Sequence, residues 1–243
     1  MRCRPLLLAA LLPLACAGTR ADPGYYVAVP YVQPGKATLD FRYWTVNPDG
    51  RFEIIWPELG VGWGVNSRWS TELFVSWIGS PQIPTQVSTV NWQNSVLITQ
   101  GGQSYDLALH LQLISDRRDP GRWGLEYGTL WQTDIGRTQL NANLIFERWW
   151  GAATQAPTRL KYQWQLRHRL FKRWHLGAQG FGELGPWDDW LTNNRQSHRA
   201  GPAVFGTVRL GDDQALKMQL AWLRGKTHGR PGEMTTLRVH YDF

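Results

Sequence analysis

The residues with chemistry to offer are scattered rather than grouped. The six histidines are His110, His168, His175, His198, His228 and His240. A hydrolase acting on lipid by nucleophilic attack needs a Ser, His and Asx set, and a protease of the aspartate-histidine kind needs Asp and His together. Ser197 and His198 are neighbours in sequence, so on a strand their side chains point to opposite faces. No two histidines or carboxylates show the spacing of a zinc or calcium site, and neither a metal nor a cofactor is expected. Gly60, Gly62 and Gly64 form G-x-G-x-G, but no helix follows to complete a phosphate cradle. On a strand these glycines leave room for bulky neighbours. No catalytic residue is assigned, and each histidine is read as part of a hydrogen-bonded wall.

Charge is the feature left. Asp40, Glu58, Glu72, Asp106, Glu126 and Glu147 recur in the first part of the chain, and Lys161, Arg167, Arg169, Arg199, Arg209, Lys217 and Arg238 in the second. Most of them lie between apolar residues at a spacing of two. Leu39, Phe41 and Tyr43 fall on one face of a strand with Thr38, Asp40 and Arg42 on the other. The fifth such segment sets Tyr105, Leu107, Leu109, Leu111 and Leu113 against Asp106, His110 and Gln112; the eighth sets Leu160, Tyr162, Trp164 and Leu166 against Lys161, Gln163, Gln165 and Arg167. Twelve segments of this kind follow one another, the ninth glycine-rich and the tenth interrupted by Pro202, where a bulge is expected.

The connections alternate as well. Short turns fall at Asn66-Ser67-Arg68, Gln100 to Ser104, Ile135-Gly136-Arg137, Phe171-Lys172-Arg173 and Gly211 to Gln214. Longer ones fall at Asn47 to Trp56, Gly79 to Ser88, Ser115 to Gly121, Trp149 to Thr158, Gly185 to Ser197 and Arg224 to Gly232. An even strand count with short turns on the side of both termini is the pattern of outer-membrane barrels. The expectation is an all-β, transmembrane, antiparallel up-and-down barrel of twelve strands. A soluble sandwich also alternates. Against it stand apolar faces rich in Trp, Tyr and Leu, with tryptophans such as Trp69, Trp77, Trp123, Trp131, Trp174 and Trp222 near strand ends, where an aromatic girdle sits.

Composition agrees. Outside the N-terminus no apolar run reaches the length of a transmembrane helix, while a barrel strand needs only about 10 residues. Arg2 and Arg4, the apolar stretch Pro5 to Leu14 and the small residues Ala15-Cys16-Ala17 read as a cleaved export signal spanning residues 1–21, cut after Ala17 or Ala21. An acylated Cys16 fits poorly behind Pro13 and Leu14. Both cysteines, Cys3 and Cys16, leave with the signal, so the mature chain of roughly 220 residues has no disulfide. Residues 22–34 are then an N-terminal periplasmic segment, and 35–243 one barrel domain. The formal net charge of +7 falls by two or three with the signal, and the cations form no blocks, which argues against a nucleic-acid partner.

The last residues Leu237, Val239, Tyr241 and Phe243 resemble the C-terminal signal by which the barrel-assembly machinery recognises its clients. The stretch from Gln33-Pro34-Gly35 through Pro57-Glu58-Leu59-Gly60 to Gly64-Val65 resembles proteobacterial outer-membrane proteins grouped as transporters of a phenol-degradation pathway. That resemblance covers about a fifth of the chain and implies a pore in the outer membrane, surrounded by its lipid, without supplying site residues. Inward acids on strands one to seven and inward bases on strands eight to twelve would make opposed walls of unlike sign in a water-filled bore. Equally, they would pair and fill it, since barrels of eight strands are filled and those of sixteen open. The expected function is a narrow passive channel for small polar or amphiphilic solutes. A barrel enzyme acting on lipid and a closed barrel with ligand-binding outer loops remain as alternatives.

Overall fold

The computed structural model describes residues 24–31, 33–49, 53–99, 103–151, 156–211 and 213–243. The expected export signal lies outside them. Strands β1 (Ala37–Pro48), β2 (Ile54–Gly64), β3 (Trp69–Ser80), β4 (Ile83–Leu97), β5 (Tyr105–Asp116) and β6 (Trp123–Ile135) form the first half. Strands β7 (Thr138–Trp150), β8 (Arg159–Arg169), β9 (Trp174–Pro186), β10 (Ser197–Arg209), β11 (Ala215–Thr227) and β12 (Arg230–Asp242) form the second. Each pairs antiparallel with its sequence neighbours, and β1 pairs with β12 to close the barrel. Closure removes the free edges that an open sheet would expose. Ala37 and Asp242 lie at one end, called proximal below; the opposite end is distal.

The alternation resolves into two surfaces. Leu59, Leu73, Trp92, Leu109, Leu144 and Leu220 point outward and are each 43–53% exposed. An apolar belt of this extent is the outer surface that the sequence pattern anticipates for a membrane barrel. The inward residues between them, among them Gln93, Gln112, Asn141 and Gln165, are buried.

Two connections read as long loops are instead strand. Between β3 and β4 the turn is only Pro81-Gln82, because the register shifts between Ser76 and Trp77 and leaves Ser88 as an extra residue opposite them. That bulge breaks the period-two pattern and disguises the first third of β4. Between β11 and β12 the turn is His228-Gly229, with φ of 47° and 80°. Two positive φ values in a two-residue hairpin match the twist of the flanking strands. The expected bulge at Pro202 is absent: pairing with β9 runs through it unbroken, and only the ladder to β11 skips Gly201 and Pro202. The missing N–H faces that gap.

The segment expected on the periplasmic side does not stay outside the barrel. From Gln33 at the proximal rim the chain runs up the inside of the bore to Gly24. Tyr25, Tyr26, Val27 and Ala28 are all buried there.

Candidate functional site

The bore is the candidate site, and its contents follow from parity. On β1 the inward positions are Asp40, Arg42 and Trp44, all 2% exposed or less. Arg42 is the centre of the first ionic cluster. Its Nε donates to Asp40 at 2.9 Å and its Nη1 to Glu58 at 3.2 Å, with Glu72 at 3.8 Å. The guanidinium is also stacked between Tyr26, 3.4 Å from the ring centroid, and Phe74, at 3.8 Å. Asp40 receives Arg238 as well, at 2.8 Å. Glu58 accepts further bonds from Ser76 Oγ and Asn91 Nδ2.

A second cluster lies across the bore. Lys161 Nζ donates to Glu126 at 3.0 Å and also contacts Glu147, whose other oxygen accepts from Trp149 Nε1 at 2.6 Å. A third sits at the proximal rim, where Asp242 meets Lys217 at 2.8 Å and His240 at 2.9 Å.

The thirteen residues expected to line the bore therefore have several fates. Asp40, Glu58, Glu72, Glu126, Glu147, Lys161, Lys217 and Arg238 are joined in these clusters. Asp106, near the proximal end, accepts from Thr99. Arg199, on β10, lies over the Tyr25 ring at 4.5 Å and donates to Thr227. Arg167 donates from Nε to His175 Nδ1 at 2.6 Å. Arg169 and Arg209 are exposed at the proximal ends of their strands. Two opposed walls with an open field between them are not what this arrangement forms, because Arg42 on the acidic side and the reach of Arg238 and Lys161 pair unlike charges directly. Unpaired charge at such burial would be costly.

The distal half of the bore holds what period-two reading left unused. Inward Trp44, Trp56, Ile78, Phe181, Leu223 and Met234 form one apolar cluster with Tyr25 and Val27 of the N-terminal segment, and Phe205 extends it into the proximal half. Trp44 and Trp56 stack at 6.5 Å, and Tyr25 meets Phe181 edge-on at 5.4 Å. The segment is also held by polar contacts. Tyr25 Oη donates to Glu183 at 2.6 Å, Tyr26 Oη to Gln93, and Ala28 bonds through N–H to Gln163 and through its carbonyl to Asn143. Gly64 explains how it enters: a methyl there would run into the Gln33 carbonyl. Gly60 likewise clears the Phe74 ring and Gly62 clears Thr38 and Glu72, so all three glycines of the G-x-G-x-G run serve close packing inside the bore.

Below the segment, a cavity of about 430 Å³ occupies the proximal half, lined among others by Tyr26, Tyr31, Glu72, Gln132, Arg167, Gln219 and Arg238. Above it, among the described residues, lie two much smaller spaces of about 20 Å³ each. Asp40, Glu72 and His240 bring one ligand atom each within 4.8 Å of one another. The two acids already hold Arg42 and Arg238, so a cation there would have to displace a guanidinium. The histidines stay apart, and none forms a triad with a serine among the described residues. Leu237, Val239, Tyr241 and Phe243 follow the outward parity of β12, the last two in edge contact at 4.5 Å.

A closed antiparallel barrel of this kind is similar in fold to several solved outer-membrane channels. Over 92% of this chain and all of the other, it superimposes on the COG4313 outer membrane channel from Pseudomonas putida F1, with a TM-score of 0.61 and 14% identity. The NanC porin aligns with 84% of this chain and 98% of its own, at TM-score 0.57 and 10% identity. The KdgM porin aligns with 85% and 99%, at 0.55 and 10%. These likenesses establish the fold. No protein-family model matches the chain, and no curated protein matches it.

Proposed function

We propose that the protein is a narrow passive channel of a Gram-negative outer membrane, and that its own residues 24–31 close it in the conformation described. The observation that carries this reading is the polar chamber in the proximal half, which ends at the segment rather than at the barrel wall. The wall beneath the segment is built of amides and ion pairs, whereas a barrel kept only for its own stability gains more from apolar filling. The full-length superposition on a channel supports the same function. With the segment withdrawn, the path would be aromatic in its distal half and polar in its proximal half, which suits small polar or amphiphilic solutes.

In this reading the proximal end faces the periplasm, the exposed belt meets outer-membrane lipid, and the C-terminal aromatic residues are read by the assembly machinery. A filled, closed barrel is the second reading, favoured by the distal apolar cluster. Swelling of proteoliposomes in small sugars separates the two. A channel gives swelling that grows when residues 24–33 are deleted; a filled barrel gives none in either form.

A further inference from the structure

The charged groups of the proximal chamber are all compensated except one. Glu72 accepts from Gln93 at 2.9 Å and faces Arg42. Asp242 holds Lys217 and His240, and Arg238 is spent on Asp40. Arg167 has no carboxylate within salt-bridge distance among the described residues. Its Nε is fixed by His175 and its guanidinium lies 5.3 Å from the Phe205 ring centroid. Both contacts orient the side chain and leave its two terminal nitrogens for something else. A guanidinium fork held in this way matches a carboxylate in two parallel hydrogen bonds.

The same chamber contains unused neutral donors and acceptors. Gln132 lines it and is only 1% exposed; its amide lies near the Tyr31 hydroxyl but makes no hydrogen bond of good geometry. The amide of its cross-strand neighbour Asn141, 2% exposed, makes none either. Next to Asn141 comes Gln165, bonded to Gln179 and Gln219. This belt of amides borders the Arg167 position, since Arg167 and Gln165 share one face of β8. Buried amides left unpaired are costly, and a polar guest or water must satisfy them. The cavity volume lies within the range of small-molecule sites.

We infer that the proximal chamber is a binding site for a small hydroxylated carboxylate, its carboxylate on Arg167 and its hydroxyls on the lining amides of Gln132 and Gln165. The inference rests on the channel reading for its biological setting but not for its chemistry. Tyr26, Val27 and Ala28 form part of the chamber lining, so the guest sits against the closing segment.

The test uses the mature protein folded in lipid nanodiscs, titrated calorimetrically with gluconate and with glucose at equal ionic strength. One bidentate charge-assisted contact predicts that gluconate binds about tenfold more tightly than glucose. Arg167→Gln abolishes the difference, Arg167→Lys keeps part of it, and Lys172→Gln, on the exposed turn beside the chamber, leaves it unchanged. A urea midpoint equal to wild type shows that Arg167→Gln is folded. Equal affinity for the two ligands, no binding of either, or a preference that survives Arg167→Gln overturns the site. Bilayer conductance of the same preparation reports on the channel separately. Conductance without the preference removes only the site, and the preference without conductance removes only the channel.

Discussion

Replacing Lys161 by Met should expose how far the bore depends on direct charge pairing. Lys161 Nζ lies 3.0 Å from Glu126 and also contacts Glu147, and these acids are only 4% and 5% exposed. Glu126 and Glu147 are directly opposed on β6 and β7, so without the ammonium two carboxylates face each other across one cross-strand spacing. Glu147 keeps its bond from Trp149, whereas Glu126 keeps no hydrogen bond among the described residues. Breaking a buried pair by removing one partner costs about 3 to 5 kcal/mol. The neighbouring cavities admit water and pull the value toward about 3. Adding Glu126→Gln and Glu147→Gln to Lys161→Met should recover all but about 1 kcal/mol, since no unpaired charge remains. Urea titration of the folded barrel in lipid vesicles, read by the emission of its fifteen tryptophans, gives both numbers. A loss under about 1 kcal/mol for Lys161→Met, or no recovery in the triple variant, would refute the paired-charge account.

Three further outcomes are expected. Leu109→Arg or Leu144→Arg should cost about 2 to 4 kcal/mol near mid-bilayer, and the inward Asn141→Ser within about 1 kcal/mol, in the same titration; equal costs would reverse the assignment of faces. Gly64→Val should push the Gln33 carbonyl off the wall and raise conductance while the barrel stays folded, as read by planar-bilayer recording beside heat-modifiable gel migration. With residues 24–33 deleted, replacing Arg167, Arg169, Arg209 and Arg238 by Gln should move the reversal potential under a salt gradient toward cation selectivity, because lumen charge tunes permeation.

Strand number, direction and face were legible because period-two alternation records which side of each strand faces outward and which faces the bore. Leu109 and His110 show it: one is half exposed to the outside and the other buried in the bore. Legibility failed where alternation stops carrying that information. Ser88 shifts the phase of β4, and the His228-Gly229 turn lies between residues that read as loop. Trp44, Trp56 and Phe181 occupy inward positions by parity, yet as aromatic residues they resemble lipid-facing ones. The pairing of the charges was open for a different reason. Arg42 shares a face with Asp40, but its reach to Glu58 and Glu72 on other strands depends on register. Least legible was the fate of Tyr25 to Ala28. An apolar run ahead of the first strand has no periodicity to say where it goes, although two adjacent tyrosines in a segment read as periplasmic were a signal that it is buried.

The most direct test of the account is single-channel recording of the wild-type protein beside a variant in which the export signal is followed by residue 34. The account predicts that the wild type is closed or opens only briefly, and that the deletion variant conducts steadily, since the chamber then continues into the distal half of the bore. A deletion variant that folds, as judged by gel migration, and still passes no current would contradict it, as would a wild type whose conductance equals that of the deletion.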